Sequence, residues 1–154
     1  MTPAQLATLK AAIIADPTAG PIRAAGDTAS LGAWCNGASS TLAWRTSVPA
    51  QDSDEAATYT TYDSLVQGKR DSWAIFLMFS RNFTKAKIRN WIVDVWGAAT
   101  ASSIAEAILQ SGTEFATNAQ VALGGTTRTT GTVSALSRTW AEQVSVEELS
   151  KLVN

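Results

Sequence analysis

Histidine is absent from the 154-residue chain. That one absence removes Ser–His and Cys–His nucleophile pairs, the HExxH metalloprotease helix and the two-histidine iron triad. Cysteine occurs once, at Cys35, so no internal disulfide can form and no Cys/His zinc set can be assembled. Charge is also sparse, at 16% of residues, and nearly balanced: twelve Lys and Arg against thirteen Asp and Glu give a formal net charge of −1. Such a chain lacks the positive excess that general nucleic-acid binding requires. Long apolar runs are missing too. The longest, Trp73 to Phe79, has seven residues, where a membrane span needs roughly 20. No basic leader region follows Met1, and Lys10 interrupts the apolar stretch to Ile14, so a soluble protein made in a reducing cytoplasm is expected.

What is present is enough for a core. Hydrophobic residues make up 45% of the chain, far from a disordered composition, and the length suits one domain of ordinary size. Thr2-Pro3-Ala4-Gln5 combines an N-cap, a proline at the first helical position and the partner of a capping box. Leu6, Leu9, Ile13 and Ile14 share the stripe of that first helix, which Asp16-Pro17 ends. Thr18 to Gly26 reads as a loop, and Asp27 or Thr28 caps a short second helix to about Asn36. Thr41 to Val48 is extended or a helix edge, and Gln51 to Thr61 is a polar surface turn or a single helical turn.

The strongest periodicity lies in the middle. Asp63 is expected to cap a helix to about Ser80, and Thr84 the next, where Ile88, Trp91, Ile92, Val95 and Trp96 recur at helical spacing before Gly97. Ser103-x-x-Glu106 opens a third, carried to about Leu123 with a kink or break at Gly112. Thr126 to Thr139 is Thr- and Ser-rich and suits a β-hairpin or extended arm, and Ser145-x-x-Glu148 caps a short terminal helix. The expected fold is therefore mainly α: a bundle of four to five helices with a C-terminal hairpin or arm and a short terminal helix. Residues 1–125 form the helical core and 126–154 the arm and last helix of the same domain. The predicted core contains Leu6, Leu9, Ile13, Trp73, Leu77, Ile88, Trp91, Ile92, Val95, Ile104 and Ile108.

Catalytic chemistry finds little support. Asp52, Asp54 and Glu55 lie in a polar stretch with nothing to desolvate them, unlike a glycosidase carboxylate pair. Gly124-Gly125 lacks the Lys-Ser/Thr of a phosphate-binding loop, and Cys35, flanked by Trp34 and Asn36, reads as a buried inert thiol. No enzyme activity, metal or cofactor is expected. The interface signals are stronger. Lys69, Arg70, Arg81, Lys85, Lys87 and Arg89 are opposed only by Asp71, while Asp52, Asp54, Glu55 and Asp63 gather the opposite charge. Opposed clusters suit a phosphate-binding face or head-to-tail docking of copies, and a solvated helix surface is the simpler alternative. Candidate interface residues are Thr126, Thr127, Arg128, Thr129, Thr130, Gly131, Thr132 and Val133 of the arm, with Trp140 either its anchor in a neighbour or part of the core. Lys85, Lys87, Arg89, Asp52, Asp54 and Glu55 complete the set.

Met1 to Ile13 followed by Ala15-Asp16-Pro17 resembles the opening of a family of small virion-associated proteins of tailed bacteriophages. Trp44-Arg45-Thr46-Ser47-Val48, Gly68-Lys69-Arg70 before Trp73, and Ile88-Arg89 leading to Val95-Trp96 are similar too. The text departs from that family in the C-terminal arm. The resemblance implies a virion protein without catalytic residues, assembled in the bacterial host cytoplasm. A head–tail adaptor or connector ring between portal and tail is the role that suits a small helical subunit with an arm. Its partners would be copies of itself and the phage portal and tail proteins, with no membrane and no sequence-specific nucleic acid. A capsid decoration protein, or a regulatory protein binding a host protein, are the alternatives.

Overall fold

The computed structural model describes residues 1–140 and 142–154. Helix α1 (Pro3–Ala15) starts as its capping box dictates: Thr2 Oγ1 accepts from the Gln5 N–H, and the Gln5 side chain accepts from the Thr2 N–H. The loop expected at 18–26 instead holds a short α2 (Ala19–Ala24). Asp16 makes this possible, because its carboxylate accepts from the N–H groups of Thr18 and Ala19, both at 2.8 Å, and Pro21 stands in the first turn, where its missing donor does no harm. Helix α3 (Thr28–Asn36) is capped by Asp27. The chain then turns extended as β1 (Ala38–Trp44) and continues through α4 (Ala50–Ala56), α5 (Tyr59–Ser64), α6 (Gln67–Phe76) and α7 (Ala86–Trp96). Helix α8 (Ile104–Ser111), β2 (Thr113–Thr117), α9 (Asn118–Ala122), the β3–β4 hairpin (Gly125–Thr130 and Val133–Arg138) and α10 (Val146–Val153) complete the order.

The described residues thus form an α+β fold, with ten helices and a four-stranded mixed sheet in the order β2-β1-β4-β3. This corrects the expected helical bundle. Strand β4 runs parallel to β1, with Ala43 opposite Leu136, a pairing between segments more than ninety positions apart that no local pattern announces. Strand β2 was hidden inside the helix expected from Ser103 to Leu123. Helix α8 instead ends with Gly112 as its C-cap, and the position needs glycine because the buried ring of Phe83 fills the space of a side chain: a Cβ there would lie 1.8 Å from a ring carbon. The freed Gly112 carbonyl accepts from the Arg45 N–H at 2.9 Å. A second capping box, Thr117 with Gln120, then opens α9.

Two other helix boundaries differ from expectation. The helix predicted from Asp63 to Ser80 is broken at Leu65-Val66, so Asp63 lies in the last turn of α5 and does not cap α6. Thr84 does not cap α7. Its N–H and hydroxyl both donate to the Asn82 side chain, and Lys85 takes the N-cap position without a capping bond.

The chain divides into two compact units. The first comprises Met1–Thr41, Phe115–Thr126 and Arg138–Asn154. Its core is built on Leu9, Ile13, Leu31, Cys35, Leu149 and Leu152, with Leu6, Trp34 and Trp140 partly buried against it. The Asn36 side chain brackets the Val144 backbone, donating to its carbonyl at 3.2 Å and accepting from its N–H at 2.8 Å. The second unit comprises Leu42–Glu114 and Thr127–Ser137, and its core is aromatic. Trp73 stacks on Phe76 at 4.7 Å and meets Trp96 edge-on at 5.3 Å, while Phe76 meets Trp91 edge-on at 5.3 Å. Of the predicted core, Leu9, Ile13, Trp73, Ile92, Val95 and Ile108 are buried, and Leu6, Leu77, Ile88, Trp91 and Ile104 are partly buried against the two clusters.

Candidate functional site

The hairpin is the first place to look, because the sequence casts it as an arm. Thr126, Thr127, Arg128 and Thr129 are exposed on edge strand β3, and Thr130 is half-buried. Gly131 and Thr132 form the exposed turn, in which Gly131 has φ +59° and Thr132 N–H donates to the Ala99 carbonyl at 3.1 Å. A Cβ on Gly131 would meet Ala99 at 2.3 Å, so glycine lets the turn sit directly on that residue. Val133 is buried in the core of the second unit. Strand β4 lies between β1 and β3, so its backbone groups are paired within the chain. An arm that waits for a neighbour to order it is therefore not what the fold contains. Trp140, which the sequence leaves open to an interface or a core role, is partly buried against the core of the first unit.

Arg89 is the second correction. Placed by charge on a basic surface, it is 2% exposed. Its Nε donates to Thr130 Oγ1 at 2.9 Å, one terminal nitrogen donates to the Phe83 carbonyl at 2.6 Å, and the guanidinium sits 4.8 Å from the Trp44 ring centre. Burial, followed by the charge of Arg128, pulls its pKa below the usual arginine value. Arg89 is thus a structural cation that ties α7 to the hairpin, with ring and carbonyl standing in for a carboxylate.

Lys85 and Lys87, named as interface candidates, are exposed at the N-terminal end of α7. The acidic trio divides. Asp52 pairs with Arg45 at 2.5 Å, and Arg45 also donates to the Ser111 carbonyl. Glu55 is exposed and accepts from Gln51 at 2.7 Å. Asp54 does something different: it lines a cavity of about 280 Å³ in the second unit. Ala57, Thr58 and Tyr62 line it too, with Trp73 and Ala74 of α6 and Leu77 at that helix's C-cap. Tyr62 leans on Trp96 at 6.4 Å and Trp96 on Trp73 at 5.3 Å, so the aromatic walls are braced from behind. The cavity is therefore largely apolar with one carboxylate, a composition suited to an aliphatic or aromatic group that ends in a cation. Sequence reading missed Tyr62 and the cavity, because they depend on the break between α5 and α6.

A further surface feature lies at the end of α6. Ile75, Met78 and Phe79 are 53%, 68% and 65% exposed. Arg81 lies beside them: its guanidinium donates to the carbonyls of Ile75 and Phe76 and lies 5.7 Å from the Phe79 ring and 5.1 Å from the rings of Phe76 and Trp91. The sequence did carry a signal for this ridge. Trp73 to Phe79 is apolar on every side, and a helix against a single core can bury only one face.

Among the described residues, no group of three or more His, Cys, Asp or Glu is placed to hold a metal ion, and no helix is long and apolar enough to cross a membrane. No protein-family model, curated protein or solved structure matches the chain.

Proposed function

We propose that this chain is a non-catalytic structural subunit of a tailed-bacteriophage virion, acting as a head–tail connector that forms a ring between portal and tail. The observation that carries the reading is the exposure of Ile75, Met78 and Phe79 within five residues of chain, with Arg81 laid against the Phe79 ring. Large apolar side chains clustered in water mark surfaces that another protein covers, and an arginine laid across aromatic rings is a frequent interface anchor. The resemblance of the N-terminal text to small phage virion proteins supplies the setting.

Quantitative mass spectrometry of particles purified from the phage that encodes the chain tests the reading. A connector ring predicts on the order of a dozen copies per particle, as cyclic symmetry at the neck requires. A copy number in the hundreds, tracking the capsid protein, replaces the connector with a decoration protein. Absence from particles refutes the virion role.

A further inference from the structure

We propose that the cavity between Tyr62 and Trp73 is a socket for a lysine side chain of a second copy, supplied by the Lys85/Lys87 pair and received by Asp54. This inference rests on the reading of the chain as a repeating subunit, and it names the contact by which one copy meets the next.

The socket has the chemistry of its occupant. Its walls are apolar and aromatic, its one charged lining group is the Asp54 carboxylate, and no ion pair joins Asp54 to any described residue. A butyl stem against Tyr62 and Trp73, with an ammonium at Asp54, satisfies both parts. The volume of about 280 Å³ lies near the lower end of ligand-sized cavities, room for a side chain and not for a large cofactor.

The lysines are placed where the chain itself has no use for them. Lys85 is the N-cap of α7 and Lys87 lies in its first turn, at the positive end of the helix dipole, where cations are disfavoured and carboxylates favoured. That first turn contains no acid, and neither lysine has an ion-pair partner among the described residues. Helix α10 shows the opposite arrangement in the same chain, with Glu147 and Glu148 in its first turn. A carboxylate brought to the N-terminus of α7 by another copy relieves the charge that the sequence leaves uncompensated. Socket and lysines are different patches of one unit, so a contact between them presents a free socket and a free lysine pair to further copies, as ring or filament growth requires.

Two full-length variants test the socket: Asp54→Lys, and Lys85→Glu combined with Lys87→Glu. Circular dichroism first establishes that both are folded. The glutamates favour α7, so lost association in that variant does not report lost folding. Sedimentation velocity at low salt should show concentration-dependent association of the unaltered chain. Each variant alone should need at least about tenfold more protein to associate. An equimolar mixture should recover association, because every contact between unlike variants again pairs opposite charges. Separately, n-butylammonium should quench tryptophan fluorescence of the unaltered chain and leave Asp54→Lys unchanged. Association of either variant at the unaltered concentration, no recovery in the mixture, or no self-association of the unaltered chain overturns the socket. If particles contain the protein and incorporate both variants normally, the socket fails and the virion reading stands. If particles lack the unaltered protein, the virion reading fails whatever the association data show.

Discussion

Replacing Gly112 by alanine separates two readings of the same residue by sign. On helix propensity alone, a glycine inside a helix from Ser103 to Leu123 is a defect, and alanine should stabilise the chain by about 1 kcal/mol. In the folded chain Gly112 is the C-cap of α8, with φ −81° and ψ 6°, a backbone conformation that alanine adopts without strain. The obstacle is Phe83. The added Cβ would stand 1.8, 2.3 and 2.5 Å from three of its ring carbons, far inside any real contact, and the ring is fully buried against Phe76. Phe83 is held further because its N–H donates to Arg45 O at 3.0 Å and its carbonyl accepts from Arg89. It has little room to retreat. Overpacking of a core ordinarily costs about 1–3 kcal/mol, and this site belongs at the upper end, about 3 kcal/mol. For a chain of this size that lowers the thermal midpoint by about 6–12 °C. Urea and thermal unfolding followed by circular dichroism measure it, and Phe83→Leu supplies the control. The smaller side chain makes room, so the double variant should be more stable than the sum of the single effects by about 1–3 kcal/mol. A neutral or stabilising Gly112→Ala, or strict additivity with Phe83→Leu, would refute the steric account.

Arg89→Ala should destabilise by about 3 kcal/mol, through the Phe83 carbonyl left without its donor and the space opened beneath Trp44, whereas Lys87→Ala should stay within about 0.5 kcal/mol; equal effects in urea titrations would show that Arg89 is not the buried cation described. Burial pushes the Cys35 thiol up to about 11 from an ordinary 9.0, so its stabilising contribution is complete below pH 9. It declines as pH rises through 11, by about 2–3 kcal/mol. The difference in stability between the native chain and Cys35→Ala should narrow over that window, and a thiol reagent at pH 8 should label Cys35 only after unfolding; rapid labelling of the folded chain contradicts its burial. Ser145→Ala removes the hydroxyl that accepts from the Glu148 N–H and should cost about 1 kcal/mol, read as a lower urea midpoint; an unchanged midpoint would mean that α10 does not depend on its cap.

Much of the helical framework was legible in the text. Thr2 with Gln5, Asp27, Ser103 with Glu106, and Ser145 with Glu148 are local devices: donor and acceptor lie three residues apart, so sequence alone contains both partners. The buried stripe of α7 was equally plain, since Ile92 and Val95 repeat at helical spacing. The candidate site was less readable. Lys85 and Lys87 could be assigned to the surface from charge alone, but Arg89, two residues further on, could not be distinguished from them. Its burial follows from where the Trp44 ring, the Phe83 carbonyl and Thr130 converge. Asp52, Asp54 and Glu55 looked alike in the sequence, and only their neighbours assigned one to an arginine, one to a cavity and one to solvent.

The sequence by itself therefore determined the starts of α1, α3, α8 and α10, the apolar stripes and the exclusion of histidine, disulfide and Cys/His zinc chemistry. Tertiary structure decided that the chain is α+β. Strand β2 is held by pairing with β1, and β4 is interior because it pairs with β1 on one side and β3 on the other. Helix hydrogen bonds close within four residues, whereas strand pairing joins distant segments whose partners become apparent only once the chain has folded.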